Sequence, residues 1–335
     1  IHQHTAVFCR LALQGGSRHG LDHAPQAIAQ GARAVLWDPA EGRTPEATPR
    51  DVVYVAVQNL RDRLGGIADR YYGSPSSRLA VAGVTGTNGK TTCAWLLASA
   101  VQNLGRSGAY LGTLGSGFPP RVAGATLTTP DVITLHRQLR ALQDAEASHV
   151  AMEVSSHALD QGRVHGVHMR VAAFCNLSRD HLDYHGTMER YARAKERLFH
   201  LPGLEHAVIN VGDPVGAQFA ASLAAGVALT TVAVGGTAPV APRFIHVART
   251  HTGQGGLELE IDGHFGARRL RSRLVGGFNA ENLAITLGML LAWGFDVDQA
   301  IAALGSCTAP PGRMESYRLA NGALAVVDYA HTPDA

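Results

Sequence analysis

At 335 residues the chain is long enough for two or three domains, and its 46% hydrophobic and 17% charged content excludes a disordered or fibrous protein. A formal net charge of +2 is too small to make nucleic acid or an anionic membrane the main partner. The four cysteines, Cys9, Cys93, Cys175 and Cys307, form no C-x-x-C pair and have no zinc-type histidine spacing, so they are expected as reduced, mostly buried thiols of a cytoplasmic protein. No run of 18 apolar residues and no basic-then-apolar leader occurs, so neither a membrane span nor a signal peptide is expected. The chain starts at Ile1 and stops at Ala335 in what looks like a strand entering a loop, the pattern of a fragment cut at both ends.

Residues 1–58 predict a small α/β unit. A short helix in Gln26–Gly31 leads to an apolar strand ending at Trp37, and a second strand spans Asp51–Val57 after a loop rich in Pro, Glu and Thr. A helix over Asn59–Tyr72 carries apolar residues at Leu60, Leu64, Ile67 and Ala68, and Gly73–Ser77 reads as a linker-like break.

The run Leu79–Val84 predicts a buried strand, and Thr91–Leu104 predicts a helix ended by Gly105. Between them lies Thr85-Gly-Thr-Asn-Gly-Lys-Thr91. Strand, glycine loop and helix is the order that phosphate binding requires: Gly86 and Gly89 admit the phosphates to the backbone, and the free amides of the helix N-terminus point at them. Lys90 supplies a cation, and the hydroxyls of Thr91 and Thr92 stand at the helix N-terminus, where Thr91 can ligate Mg²⁺. A strict G-x-x-x-x-G-K-[ST] pattern would need glycine where Val84 stands. An ordinary glycine-rich turn is the plainer alternative, but it accounts for neither Lys90 nor Thr91.

From 78 to about 226 strands alternate with helices, with further strands predicted at His149–Val154, Val171–Leu177 and Ala207–Val211, which implies a mostly parallel sheet. Ligands of such sheets bind beyond the carboxyl ends of the strands, which draws attention to Glu153–His157, Ser178–His185 and Asp213. Residues 227–275 change to alternation, with Gly256–Ile261 before an Asp262-Gly263 turn, and predict a small β subsheet appended to the parallel one. Asn279–Trp293 predicts a helix that is apolar all round and therefore buried.

Three residues outside the glycine loop carry chemistry. Glu153 ends an apolar strand about where a Mg²⁺ held by Thr91 would lie; the alternative is an ion pair with an arginine. His181, in Asn176–Gly186, is a candidate metal ligand, and equally a hydrogen-bonded loop histidine. Lys195 falls in register with Met188, Tyr191, Ala192, Leu198 and Phe199, on the inward stripe of a helix. A buried lysine must find a carboxylate, lose its proton or be modified, and a deprotonated amine can add CO₂ to become an anionic carbamate able to bind Mg²⁺. Periodicity alone leaves a snorkelling surface lysine equally open.

Thr85–Thr91, Glu153-Val-Ser-Ser-His157, Asn176-Leu-Ser-Arg-Asp-His-Leu-Asp-Tyr-His185, Gly277-Phe-Asn-Ala-Glu-Asn282, Pro311-Gly-Arg-Met-Glu315 and Asp328-Tyr-Ala-His-Thr-Pro333 together resemble the Mur ligases of peptidoglycan synthesis. Glu-Val-Ser-Ser-His resembles the MurE type, which adds the third amino acid to UDP-MurNAc-L-Ala-D-Glu. The resemblance runs from about residue 20 to the end. It implies an α/β architecture of three parts: a UDP-binding N-terminal domain over 1–58 (incomplete), a central ATP-binding ligase domain over 59–313, and the first strand of a Rossmann-like amino-acid-binding domain over 314–335. It also implies an ATP-dependent amide ligase, in which the D-glutamate carboxylate attacks the γ-phosphoryl group and the incoming amine displaces the resulting acyl phosphate.

By the same resemblance Lys90 and the loop residues Gly86, Thr87, Asn88, Gly89, Thr91 and Thr92 hold the phosphates, with Asn279, Asn282, Arg313 and Asp328 on the nucleotide side. Thr91 and Glu153 serve one Mg²⁺, and His181 with carbamylated Lys195 a second. Thr128, Thr129, Ser155, Gln161 and Arg163 match positions that grip the UDP-MurNAc-dipeptide. The implied partners are that dipeptide and a free amino acid, with no nucleic acid and no membrane insertion, acting on a cytoplasmic monomer. Two departures matter. The first residues do not give the family's Asp-Ser-Arg-like turn, although Gln14–Gly20 fits the loop that should follow. The Asp-Asn-Pro-Arg motif that selects diaminopimelate is absent, which leaves diaminopimelate or lysine open and predicts no turnover by the chain alone. A folylpolyglutamate-type ligase shares the glycine loop but lacks Ser-Ser-His, and a non-catalytic nucleotide-binding module is the remaining alternative.

Overall fold

The computed structural model describes residues 9–13, 19–39, 43–45, 50–253, 255–321 and 323–330. The chain forms two compact units, Ile1–Ile67 and Ala68–Ala335. In the first, strands β1 (Cys9–Ala12), β2 (Ala34–Trp37) and β3 (Val53–Ala56) pair in parallel in that order, and helix α1 (Ala24–Ala29) joins the first two. Its core is Ala12, Ala24, Val35 and Val52, and the chain leaves α1 through Gly31 at φ 101°, a backbone that glycine tolerates. The Gln14–Arg18 part of the expected uridine-side loop lies outside the described residues. Helix α2 (Leu60–Tyr71) carries the chain across the division between the units. The expected linker at Gly73–Ser77 is instead a built turn: Pro75–Ser77 is one 3₁₀ turn with Pro75 and Ser76 buried, and the Ser76 hydroxyl accepts from the His168 amide at 3.0 Å. Serine and proline there signal a tight turn, which composition does not distinguish from a linker.

The second unit is built on one sheet of eleven strands. Its strands in chain order are β4 (Ala80–Thr85), β5 (Gly108–Gly112), β6 (Gly115–Phe118), β7 (Arg121–Ala123), β8 (His149–Glu153), β9 (Val171–Phe174), β10 (His206–Asn210), β11 (Ala228–Val234), β12 (Phe244–Gly253), β13 (Gly256–Gly263) and β14 (Arg268–Ser272). They lie in the order β14-β13-β12-β11-β10-β9-β4-β8-β5-β6-β7. The run from β12 through β4 to β5 is parallel, and both flanks turn antiparallel. The fold is therefore α/β with a large, mostly parallel sheet, as the alternating pattern predicts. The expected β subsheet is appended to the parallel one as the alternation predicts: β11 pairs in parallel with β10 and β12 with β11, so β12–β14 extend the main sheet. Asp262 and Gly263 end β13 itself rather than forming the turn, which is closed one step later by the Gly266 amide on the Gly263 carbonyl at 2.8 Å.

Helices α3 (Lys90–Asn103), α4 (Val132–Asp144), α5 (Ser156–Asp160), α6 (Leu182–His185), α7 (Met188–Glu196), α8 (Pro214–Ala221), α9 (Asn279–Ala292) and α10 (Val297–Gly305) connect the strands. The apolar α3 and α9 share one core with Ala82, Val84, Ala173, Val208 and Val232, while Leu135, Met152, Phe174 and Phe199 belong to the other. Burial of α3 and α9 follows from their all-round apolarity. Where a single strand was expected at the C-terminus there are two, β15 (Glu315–Arg318) and β16 (Leu324–Val327), paired antiparallel; Glu315–Arg318 is polar at alternate positions and gives no apolar run.

A further consequence of burial concerns acid stability. His206, in β10, is 6% exposed and shares a hydrogen bond of 2.9 Å with the Thr230 hydroxyl of β11; burial holds its pKa down to about 4. Between that value and the ordinary histidine value the unfolded chain binds the extra proton, so this contribution to stability is complete above about pH 6.5 and is lost as pH falls toward 4. His206→Gln is expected to flatten that part of the stability-versus-pH curve in denaturant titrations; an unchanged slope between pH 6.5 and 4 would contradict the assignment.

Candidate active site

The sheet order explains where a ligand must bind. From β4 the chain moves outward to β5 and back to β8 on one side, then crosses to β9 on the other, so the connections diverge on either side of β4. The crevice at the carboxyl ends of such strands is the expected binding place. The loops after β4, β8 and β9 meet there and line a cavity of about 480 Å³. Thr87 donates its amide to the Asn176 carbonyl at 2.9 Å, and the Asn88 amide donates to Asn176 Oδ1 at 2.9 Å. Thr87 Oγ1 is shared between the Ser178 backbone and the Tyr191 hydroxyl.

Gly89 is the N-cap of α3, at φ 86°, and no side chain caps that helix, so the first-turn amides face the cavity's Thr87–Thr92 wall. A Cβ on Gly89 would stand 2.4 Å from Asn282 Oδ1. Asn282 is in turn bonded to Asn279 Oδ1 at 2.8 Å, and both are buried on α9. Arg313 lies over the Tyr329 ring at 5.0 Å, and Asp328 Oδ1 accepts the Met314 amide at 2.9 Å; these residues line the same cavity.

Glu153 closes β8 and is 1% exposed. No arginine pairs with it among the described residues. Its carboxylate accepts from the Tyr110 hydroxyl, from the Thr113 amide (2.9 Å), from Thr113 Oγ1 (3.1 Å) and from Thr91 Oγ1 (2.9 Å). Thr91 and Glu153 thus place two hard oxygen donors side by side on the cavity wall, a donor set suited to Mg²⁺.

Lys195 is 1% exposed, which decides between the two readings of its register: it is buried, not snorkelling. Its ammonium donates to the Gly86 carbonyl at 2.7 Å and lies 4.3 Å from the Tyr191 ring centre. Lys90 Nζ donates to the same carbonyl at 2.9 Å. Burial first, and the nearby Lys90 charge second, push the Lys195 pKa well down. Its hydrogen bond is to a carbonyl, not a carboxylate, so the amine stands where loss of its proton and conversion to a carbamate would relieve the cost of burial. His181, in a left-handed backbone at φ 52°, is held 3.3 Å from Asp180 and faces His157 at 4.8 Å; burial lowers its pKa, which favours the neutral, ligand-competent ring.

Of the residues matched to the other substrate, Thr128 and Ser155 line the cavity, while Thr129, Gln161 and Arg163 do not. Thr129 Oγ1 donates to the Glu153 carbonyl at 2.9 Å and accepts the Ser155 amide at 3.1 Å. Arg163 bonds the Thr129 carbonyl and Gln161 Oε1. Gly86 contributes its carbonyl rather than a cavity wall. Sequence reasoning missed Tyr110 and Thr113, because the strand Gly108–Gly112 was not recognised. Its signal was present: an apolar trio between glycines, placed after a helix where an α/β sheet needs its next strand.

Strand, glycine loop and helix, with a carboxylate at the end of the neighbouring strand β8, form a phosphate-loop arrangement. The chain matches the Mur ligase middle domain over residues 84–290 and the Mur ligase family catalytic domain over residues 5–72. It belongs to the Mur ligase family. It is 42% identical over 325 residues to the UDP-N-acetylmuramoyl-L-alanyl-D-glutamate--2,6-diaminopimelate ligase of Pseudomonas aeruginosa, and 44% identical over 326 residues to that of Xylella fastidiosa. Each match covers 97% of this chain and 65% of the relative, so the chain spans just under two thirds of their length. A solved structure of a ligase of that name superposes with a TM-score of 0.81 at 32% identity, covering 98% of this chain and 65% of the other. A Mycobacterium tuberculosis folylpolyglutamate synthase shares the fold at 20% identity and a TM-score of 0.63.

Proposed function

We propose that the chain is the nucleotide and UDP-sugar part of a MurE-type ligase, which joins diaminopimelate to UDP-MurNAc-L-Ala-D-Glu with ATP. The observation that carries this reading is the buried Lys195, bonded to a carbonyl of the very loop that bears Lys90. The names of the relatives support the substrate and favour diaminopimelate over lysine. Lys90, the α3 amides, Asn279, Asn282, Arg313 and Asp328 bind the nucleotide, and Thr128, Thr129, Ser155, Gln161 and Arg163 the dipeptide end. Mg²⁺, when bound, neutralises phosphate charge; Thr91 and Glu153 would hold one ion, and His181 with carbamylated Lys195 a second. The chain's own part is to align the D-glutamate carboxylate with the γ-phosphoryl group so that an acyl phosphate forms, and to keep water from it.

In this reading the domains are 1–58, 59–313 and 314–335, with the amine bound beyond the central domain, in a cytoplasmic monomer. Among the described residues no helix is long and apolar enough to cross a membrane. Calorimetric titration of the chain with Mg-ADP and with UDP-MurNAc-dipeptide, run separately from turnover, tests the reading. Binding of both is expected. Failure to bind UDP-MurNAc-dipeptide would overturn the substrate, and nucleotide binding without it would favour a plain nucleotide module.

A further inference from the structure

Glu153 is held asymmetrically. Its Oε1 accepts from two donors that cannot turn away: the Thr113 amide at 2.9 Å and the Tyr110 hydroxyl. The Tyr110 oxygen itself accepts the Leu114 amide at 3.2 Å, so its single proton is left for Glu153, and its ring packs edge-on against Trp95 at 5.4 Å. Two donors occupy both lone pairs of Oε1. Oε2, by contrast, accepts from the Thr91 and Thr113 hydroxyls, whose protons can rotate aside. Nor is there slack on the closed side: a Cβ on Gly112 would stand 2.3 Å from Oε1 and 2.5 Å from the Tyr110 oxygen.

We infer that Tyr110 is a positioning residue that fixes the Glu153 carboxylate, committing Oε1 to the protein so that Oε2 alone is offered, with Thr91, to a divalent cation. The inference rests on the proposed cation role of Thr91 and Glu153. Tyr110 lies inside the sheet and does not line the cavity, so its hydroxyl reaches the site through the two groups it bonds, the Glu153 carboxylate and the Leu114 amide. Tyr110→Phe keeps the ring against Trp95 and removes only the hydroxyl, which spares the packing.

The test is calorimetric titration of the chain with ADP, in Mg²⁺ and in excess chelator, for the wild type, Tyr110→Phe and Glu153→Gln. Tyr110→Phe is expected to lower the affinity in Mg²⁺ about tenfold, the effect of one charge-assisted hydrogen bond, and to leave the affinity in chelator unchanged. A wild-type Mg²⁺ dependence in Tyr110→Phe, or an equal loss in chelator, would overturn the inference. If Glu153→Gln kept the wild-type Mg²⁺ dependence, the cation reading beneath it would fall instead.

Discussion

Replacing Lys195 with Met, with this chain carried in a protein of its relatives' full length, is expected to lower ligase activity by about 10²–10³-fold or more while leaving the fold as stable as before or more so. The two effects share a cause. A buried ammonium bonded, among the described residues, to the Gly86 carbonyl and a tyrosine face but to no carboxylate is costly to keep, and a methionine of similar length fills the same space without the charge. The pH dependence gives the sign. Because the folded pKa is depressed, the unfolded chain binds the extra proton in the window below the ordinary lysine value, so wild-type stability rises with pH up to about 10.4. Any advantage of the methionine variant in denaturant melts should therefore shrink as pH rises. Short carboxylates or bicarbonate should partly restore activity to Lys195→Ala, since a small anion can stand where the carbamate would. Full activity in the alanine variant would remove Lys195 from the metal site.

The second large effect is expected at Gly89. Its backbone at φ 86° costs a residue with a Cβ about 1–2 kcal/mol, and that Cβ would collide with Asn282 Oδ1 at 2.4 Å. Gly89→Ala must therefore both strain the start of α3 and push Asn282 away from its bond to Asn279. Nucleotide affinity is expected to fall at least about tenfold in calorimetric titration, the equivalent of about 1.4 kcal/mol, and the melting temperature by a few degrees. An alanine variant that binds Mg-ADP like the wild type would show that this loop does not approach the phosphates.

The glycine loop was legible in the sequence because its requirements are local: glycines where a left-handed backbone and close approach are needed, then a cation and a hydroxyl at a helix start. Lys195 was half legible. Helical periodicity placed it on the inward stripe, but only packing against Tyr191 and the Gly86 carbonyl decided that it is buried. Tyr110 and Thr113 were not legible as partners of Glu153. That contact depends on β5 lying directly beside β8, and sheet order is a long-range property that no residue spacing records. That β12–β14 add on to the main sheet was legible from the alternation, but their pairing order was not, because alternation reports a half-exposed strand and not which strand it pairs with.

The central claim is that this crevice activates a carboxylate with ATP, and transfer of oxygen tests it most directly. With ¹⁸O in the D-glutamate carboxylate of UDP-MurNAc-L-Ala-D-Glu, and this chain carried in a protein of its relatives' full length with diaminopimelate, an acyl phosphate passes one labelled oxygen to the phosphate released. ¹⁸O in inorganic phosphate, in step with amide formed, is the predicted result. Phosphate that carries oxygen from solvent alone would contradict the account.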